Sequence, residues 1–257
     1  MRNVWAIYKR ELAAYFYSPI AYVVITIFLA IMGYLFYSAF VFFSIISMQG
    51  MQNPALAGRL NVTSLVVEPL FANMGVVLLL MIPVLTMRLF SEEKRQGTME
   101  LLLTYPIRDG EVLFGKYLAA LTVFALMLAL TSVYLLFVFL FSEPEPGPIF
   151  SSYLGIFLLG AAFIAVGVFI SSLTQNQIVA AAATFGVLLI SWLLGFASSY
   201  AGGGLLSRVL SHVALANHLD RFLRGMVDTR DMVYLLNLSF FSLFLTLRSL
   251  ESNRWRG

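Results

Sequence analysis

From residue 146 to residue 207 the chain carries no Asp, Glu, Lys or Arg, and nearly every position there is aliphatic, aromatic, Gly, Ala or Ser. Water-soluble domains keep charge at much shorter intervals, because long side chains with charged heads are what their surfaces are made of. At roughly 20 apolar residues per crossing, this interval spans a bilayer twice. The other uncharged intervals are 12–58, 69–87, 117–142 and 232–247. Each holds one crossing, and the last is short enough to borrow flanking polar residues at the interface. The sequence therefore predicts an all-α polytopic membrane protein with six transmembrane helices, at about 20–43, 70–90, 116–141, 150–172, 178–200 and 231–249. A hydrophobic fraction of 60% beside 11% charged residues belongs to that class. In 257 residues, six spans leave a single transmembrane domain over 1–257 and no soluble one.

The distribution of charge orients the spans. With the N-terminus cytoplasmic, inside segments hold Arg2, Lys9, Arg10, Arg88, Lys94, Arg95, Arg108, Lys116, Arg248, Arg254 and Arg256, eleven of the sixteen basic residues. The positive-inside bias favours that orientation and puts both termini inside. Arg208, Arg221, Arg224 and Arg230 fall in the last outer loop, where Asp220, Asp228 and Asp231 offset them. The first seventeen residues read as an amphipathic interfacial helix over 2–17, with Val4, Trp5, Tyr8, Leu12, Tyr15 and Phe16 on one side. Ser18 and Pro19 then cap and open the first span. The charged Lys9-Arg10-Glu11 ahead of a run of full spanning length reads as a retained span rather than a cleaved signal. Without cysteine there is no disulfide framework and no thiolate metal site.

The segment from Arg88 to Lys116 carries five basic and five acidic residues and is the main charged feature of the chain. Gly97 breaks the preceding helix, Thr98 caps a new one and Pro106 stops it, which predicts a short helix over 99–105. Leu101, Leu102 and Leu103, ringed by charge, suit insertion into a partner's groove or packing under the bundle.

Several ordered motifs resemble the permease subunits of type-2 ABC transporters, in particular the branch of gliding-motility and nitrous-oxide-reductase-maturation permeases. They are Lys9-Arg10-Glu11-Leu12 with Ser18-Pro19; Glu92 through Leu102 with Pro106 and Gly115-Lys116; Ser171 through Gln177; and His218 through Asp228. The resemblance implies that 2–17 is a connecting helix and that 91–105 holds the cytoplasmic coupling helix docking on an ATPase. It further implies a lesser ATPase contact at 171–177 and an external helical segment at about 203–227 that dips back as a gate. Carried over residue by residue, the ATPase contact falls on Glu92, Glu93, Gly97, Thr98, Glu100, Leu101, Leu102, Leu103, Pro106, Gln175 and Asn176, and the external gate on Leu205, Leu206, Leu210 and Phe222. The implied assembly pairs two permease chains, as homodimer or heterodimer, with two ABC ATPase subunits in a bacterial cytoplasmic membrane. Membrane lipid and periplasmic or other accessory proteins complete the expected partners, and nucleic acid is not among them.

Chemistry on the chain itself is sparse, so it is not expected to be an enzyme. Gly110 to Lys116 matches a phosphate-binding loop except that Tyr117 stands where a Ser or Thr hydroxyl would hold magnesium, and no strand precedes it. Cofactors are therefore expected to be absent here, with ATP and magnesium on the partner, and Lys116 reads as an interfacial anchor. His212, His218 and Asp220 are too few ligands for a metal. The span interiors are expected to bury no charge, which argues against a proton-coupled carrier. Asn73, Thr122, Thr131, Ser132, Thr184, Ser191, Trp192, Ser198 and Ser199 are expected either to line a path for amphipathic cargo or to act as packing polar groups. Two functions fit: an exporter permease powered by a separate ATPase, or a membrane scaffold that anchors partners without moving anything.

Overall fold

A computed structural model describes residues 2–52, 61–98, 108–200 and 204–254. The described residues are almost wholly helical and contain no strand. In chain order they form α1 (Arg2–Tyr17), α2 (Pro19–Gln52), a π-helical turn (Thr63–Val67), α3 (Glu68–Thr86), α4 (Arg88–Arg95), α5 (Asp109–Leu130), α6 (Ser132–Phe141), α7 (Pro146–Leu173), α8 (Gln177–Tyr200), α9 (Leu205–Val213), α10 (Leu215–Leu223) and α11 (Thr229–Arg254). Six stretches are long and apolar enough to cross a membrane: Pro19–Gln49, Thr63–Arg95, Asp109–Phe141, Pro146–Leu173, Gln177–Ala197 and Thr229–Ser252. The expected number of spans is therefore present. Several outrun the hydrocarbon core: the 34 residues of α2 make a helix about 50 Å long at 1.5 Å per residue.

Local chemistry sets the helix ends. Pro19 opens α2, and the Ser18 hydroxyl accepts the Ile20 N–H at 3.4 Å. Asn176 caps α8 by accepting the Ile178 N–H at 2.9 Å, and Asp228 caps α11 by accepting the Arg230 N–H at 2.9 Å. The Asp231 carboxylate, three residues on, is turned inward to other partners. Gly97 ends the second span's extension with φ 68°, a left-handed conformation that glycine adopts without a steric cost.

α7 is the centre of the bundle. It packs against α3, α4, α5, α8, α10 and α11, and most of its residues are buried. Small side chains permit this. A Cβ on Gly155 would lie 2.6 Å from Phe222 of α10, and one on Gly160 would collide with Phe124 of α5. The outer helices instead expose large apolar residues, among them Tyr22, Ile27 and Tyr34 on α2 and Ile178, Ile190 and Phe196 on α8.

α1 lies against α5 through a face centred on Ile7, whose branched side chain fills the space left by Gly115. That face overlaps only one edge of the apolar stripe read in the sequence, Leu12 and Tyr15 packing on the core. Trp5 of the stripe is 58% exposed and stacks on Tyr8, while the Tyr8 hydroxyl meets Thr122 of α5 at 3.2 Å. The helical wheel separates apolar from charged residues, but the gap at Gly115 decides which side docks.

Candidate functional site

The expectation of no buried charge in the spans is corrected at two places, Lys116 near the start of α5 and Asp231 in the first turn of α11. The two lie at opposite ends of the bundle. Lys116 sits beside α4, which packs on the Ser171 end of α7, whereas α10 covers the Ser151 end of the same helix.

At the first end, four charges from three segments form one cluster. Lys116 Nζ lies 2.9 Å from Glu93 Oε1 and 3.1 Å from Glu11 Oε1. Arg10 reaches the same two oxygens, at 2.7 Å from Glu11 and 3.2 Å from Glu93. Two cations thus balance two carboxylates. Lys116, only 1% exposed, also stands 5.3 Å from the centre of the Phe90 ring. Burial alone would push the Glu11 carboxyl up, and it is the largest single influence there. Lys116 and Arg10 together outweigh it and hold Glu11 below the usual carboxylate range. The sequence reading of Lys116 as a snorkelling anchor is replaced by a buried ion pair, because α1 closes over the lysine.

The neighbouring contacts extend the cluster to the α1–α2 elbow, to α3 and to the end of α7. Arg88 Nε donates to Glu92 at 2.8 Å, and its Nη1 donates to the Ser18 hydroxyl at the α1–α2 elbow at 3.2 Å. Tyr15 of α1 donates to the Leu85 carbonyl of α3 at 2.8 Å. On the other side of α4, the Ser171 hydroxyl accepts the N–H groups of Phe90 and Ser91 at 3.1 and 3.2 Å and donates to the Met87 carbonyl at 3.0 Å. Lys94 donates to the Ser172 carbonyl. A helix of eight residues is therefore tied at once to α1, the α2 entry, α5 and the end of α7.

Of the residues assigned to the ATPase contact, Glu92 and Glu93 belong to this cluster, and Gly97 and Thr98 follow directly, with the Thr98 hydroxyl donating back to the Glu93 carbonyl at 3.3 Å. Gln175 and Asn176 are exposed at the same end. Glu100, Leu101, Leu102, Leu103 and Pro106, with the short helix expected over 99–105, lie outside the described residues. Sequence reasoning did not find Glu11, Arg10, Lys116 and Ser171 as one group. The available signal was charge matching: two acids and two bases at the edges of uncharged intervals.

At the opposite end, Asp231 Oδ1 meets His218 Nδ1 and Arg221 Nη2, each at 2.5 Å, and Arg221 also donates to Asp228 at 3.3 Å. His218 Nε2 lies 2.9 Å from the His212 carbonyl oxygen, and the ring stacks on Tyr234 with centres 4.1 Å apart. Both ring nitrogens thus face oxygen atoms. Asp220 pairs instead with Arg224 at 2.8 Å. Among the described residues no group of three His, Cys, Asp or Glu is arranged to hold a metal.

The gate candidates separate. Phe222 is fully buried against α7, and its carbonyl accepts the Ser151 hydroxyl at 2.7 Å. Leu210 is half-buried, and the side chains of Leu205 and Leu206 lie outside the described residues. Most of the suggested path-lining hydroxyls are turned to carbonyls of their own helices: Thr184 to Ala180 at 2.7 Å, Thr131 to Leu128 at 2.6 Å and Ser191 to Val187 at 2.9 Å. Asn73 is exposed, and the side chains of Ser198 and Ser199 are outside the described residues.

A sequence profile described as an ABC-2 family transporter protein matches residues 5–250, from α1 through all six spans. The chain belongs to the ABC-2 transporter family. It is thus the multi-pass membrane component of an ABC transporter, and membership implies an ABC ATPase subunit as its partner. No curated protein matches the chain. Within this ABC-2 permease, the cluster at the Lys116 end is, among the described residues, the place where the most chain segments are held by polar contacts.

Proposed function

We propose that this permease forms the membrane path of an exporter in the bacterial cytoplasmic membrane, with both termini cytoplasmic, and that a separate ATPase drives it through the Lys116 end of the bundle. The observation that carries this reading is the placement of α4, which leads straight into 97–107 and is bonded to α1, α5 and α7. ATP and magnesium then belong to the ATPase. A push delivered at 99–105 reaches the first, third and fourth spans together, because α4 cannot shift without breaking buried ion pairs or pulling its partners along. Only contacts that differ between two states of the permease shift the equilibrium between them, and a cluster of shared carboxylate oxygens offers such contacts.

In the assembly we envisage, two permease chains stand over two ATPase subunits. Exposed apolar surface on α2 and α8 supports a second copy, as does Gly186 of α8, where a Cβ would meet nothing within 4 Å. α1 would lie in the headgroup plane with exposed Trp5 toward lipid. The four motif groups support the gliding-motility and nitrous-oxide-reductase-maturation branch.

Co-purification tests the reading. Leu101, Leu102 and Leu103 changed together to Asp should release the ATPase while the membrane part stays monodisperse. Retention of the ATPase by that variant would overturn the assignment of the contact. ATP hydrolysis indifferent to the presence of intact permease would favour a scaffold over a transporter.

A further inference from the structure

At the end of the bundle opposite Lys116, α9, α10 and α11 enclose a recess of about 580 Å³. Three arginines reach it from three helices: Arg208 from α9, Arg221 from α10 and Arg230 from α11. Their charges are not equally free. Arg221 is held by Asp228 and Asp231, and Asp220, the only acid in the lining among the described residues, is held by Arg224. Arg208 and Arg230 are exposed and have no acidic partner among the described residues. Ser211, His212, Asn217 and His218 add polar groups to the same wall. The recess therefore holds uncompensated positive charge within a concave space of the size that takes a small ligand.

Its position narrows the ligand. Arg230 is the second residue of α11, which is one of the six spans, so the recess lies level with the entry of that helix into the membrane. Exposed Val209 and Val213 on α9 and Met226 and Val227 before α11 provide apolar surface next to the charge. A soluble anion has no use for that surface, whereas an amphiphile matches both parts. We infer that this recess binds the phosphate group of an anionic phospholipid, with Arg208 and Arg230 as its charged contacts. Arginine suits the task because its planar fork of donors fits phosphate oxygens and its charge persists at all working pH values. The Arg221 pairs would keep the far wall in place while the two free arginines take the ligand.

This inference stands apart from ATPase coupling, and its test uses the full chain without any ATPase. Native mass spectrometry of the purified protein in a neutral detergent would compare retention of phosphatidylglycerol with that of phosphatidylcholine. The wild type should retain phosphatidylglycerol preferentially. R208Q/R230Q should retain it roughly 30-fold less, as expected for losing two cationic contacts near a membrane surface. R95Q/R248Q, which makes the same change in net charge at the Lys116 end, should retain it like the wild type. The single reversal R230E, at an exposed unpaired site, should also weaken it and checks the assignment if the double variant aggregates. Equal retention by wild type and R208Q/R230Q, or equal loss in R95Q/R248Q, overturns the site. Displacement of phosphatidylglycerol by equimolar inorganic phosphate would assign the recess to a soluble phosphate and overturn the lipid.

Discussion

The two ends of the bundle both bury charge, but they connect different things. At the Lys116 end the paired residues are distant in sequence: Glu11 with Lys116, Arg10 with Glu93, Arg88 with Ser18, Ser171 with Phe90. At the Asp231 end the partners are close in sequence: His218, Arg221 and Asp228 belong to the excursion between the fifth and sixth spans, and Asp231 to the first turn of the sixth. Long-range pairs bind separate spans into one mechanical unit. Short-range pairs shape one excursion and fix it on the start of the sixth span. Buried ion pairs contribute little net stability compared with apolar replacements, yet breaking one by removing a single partner is costly. Their retention at both ends is thus better explained by what they hold in register than by how much they stabilise.

The sharpest way to break this contrast is K116M, which removes the buried cation, leaves Glu11 and Glu93 sharing the half-exposed Arg10 alone, and should cost ~3–5 kcal/mol. Thermal unfolding in detergent would read the loss. The triple variant E11Q/K116M/E93Q should recover much of that stability, since no buried charge is left unpaired, and still fail to stimulate the ATPase. Recovery of stimulation in the triple variant would show that the cluster is only structural. At the other end D231N should cost about 1–3 kcal/mol through weakened charged hydrogen bonds, and it should leave ATPase stimulation near the wild-type level. If D231N uncouples the ATPase as strongly as K116M, the two ends are not mechanically distinct.

Acid should reveal the Lys116 end selectively. The Glu11 carboxyl ionises more readily in the folded chain than in the unfolded one, so its contribution is fully present above the ordinary glutamate pKa of about 4.3 and is lost as pH falls through the lower folded value. The gap in melting temperature between wild type and E11Q should therefore be constant near neutrality and shrink on acidification below about pH 4.3. The smallest effect is expected for R224A. Its pair with Asp220 is solvent-exposed on both sides, and such pairs contribute at most about 1 kcal/mol.

The spans were legible because charge is excluded from hydrocarbon, so the intervals without Asp, Glu, Lys or Arg mark them directly. Helix ends at Pro19 and Gly97 were legible for a similar reason, each residue carrying its own local geometry. The Lys116 cluster was not. A lysine at the edge of a span looks the same whether it snorkels to water or is covered, and the cover here is α1, positioned by the fit of Ile7 against Gly115. Nothing in the spacing of either residue announces that fit. Asp231 stands in the first turn of α11, where spacing alone names no partner for it, and it turns to His218, which only the fold of α9 and α10 brings within 2.5 Å. Local rules reach as far as one helix end, and pairings between helices need the packed bundle.

The enclosure of α7 has a consequence for how the chain tolerates change. The outer spans have a lipid-facing side and a packed side, so acceptable substitutions along them should recur with the helical period. α7 has neighbours nearly all round, and at Gly155 and Gly160 those neighbours already occupy the space of a methyl group. A saturation screen scored by surface expression should show α2 and α8 as striped and α7 as an almost unbroken intolerant band, with small-to-large changes costing about 1–3 kcal/mol or more. The stretch that stands out in the sequence for its lack of charge would thus contain, in its first half, the part of the molecule with the least freedom to vary.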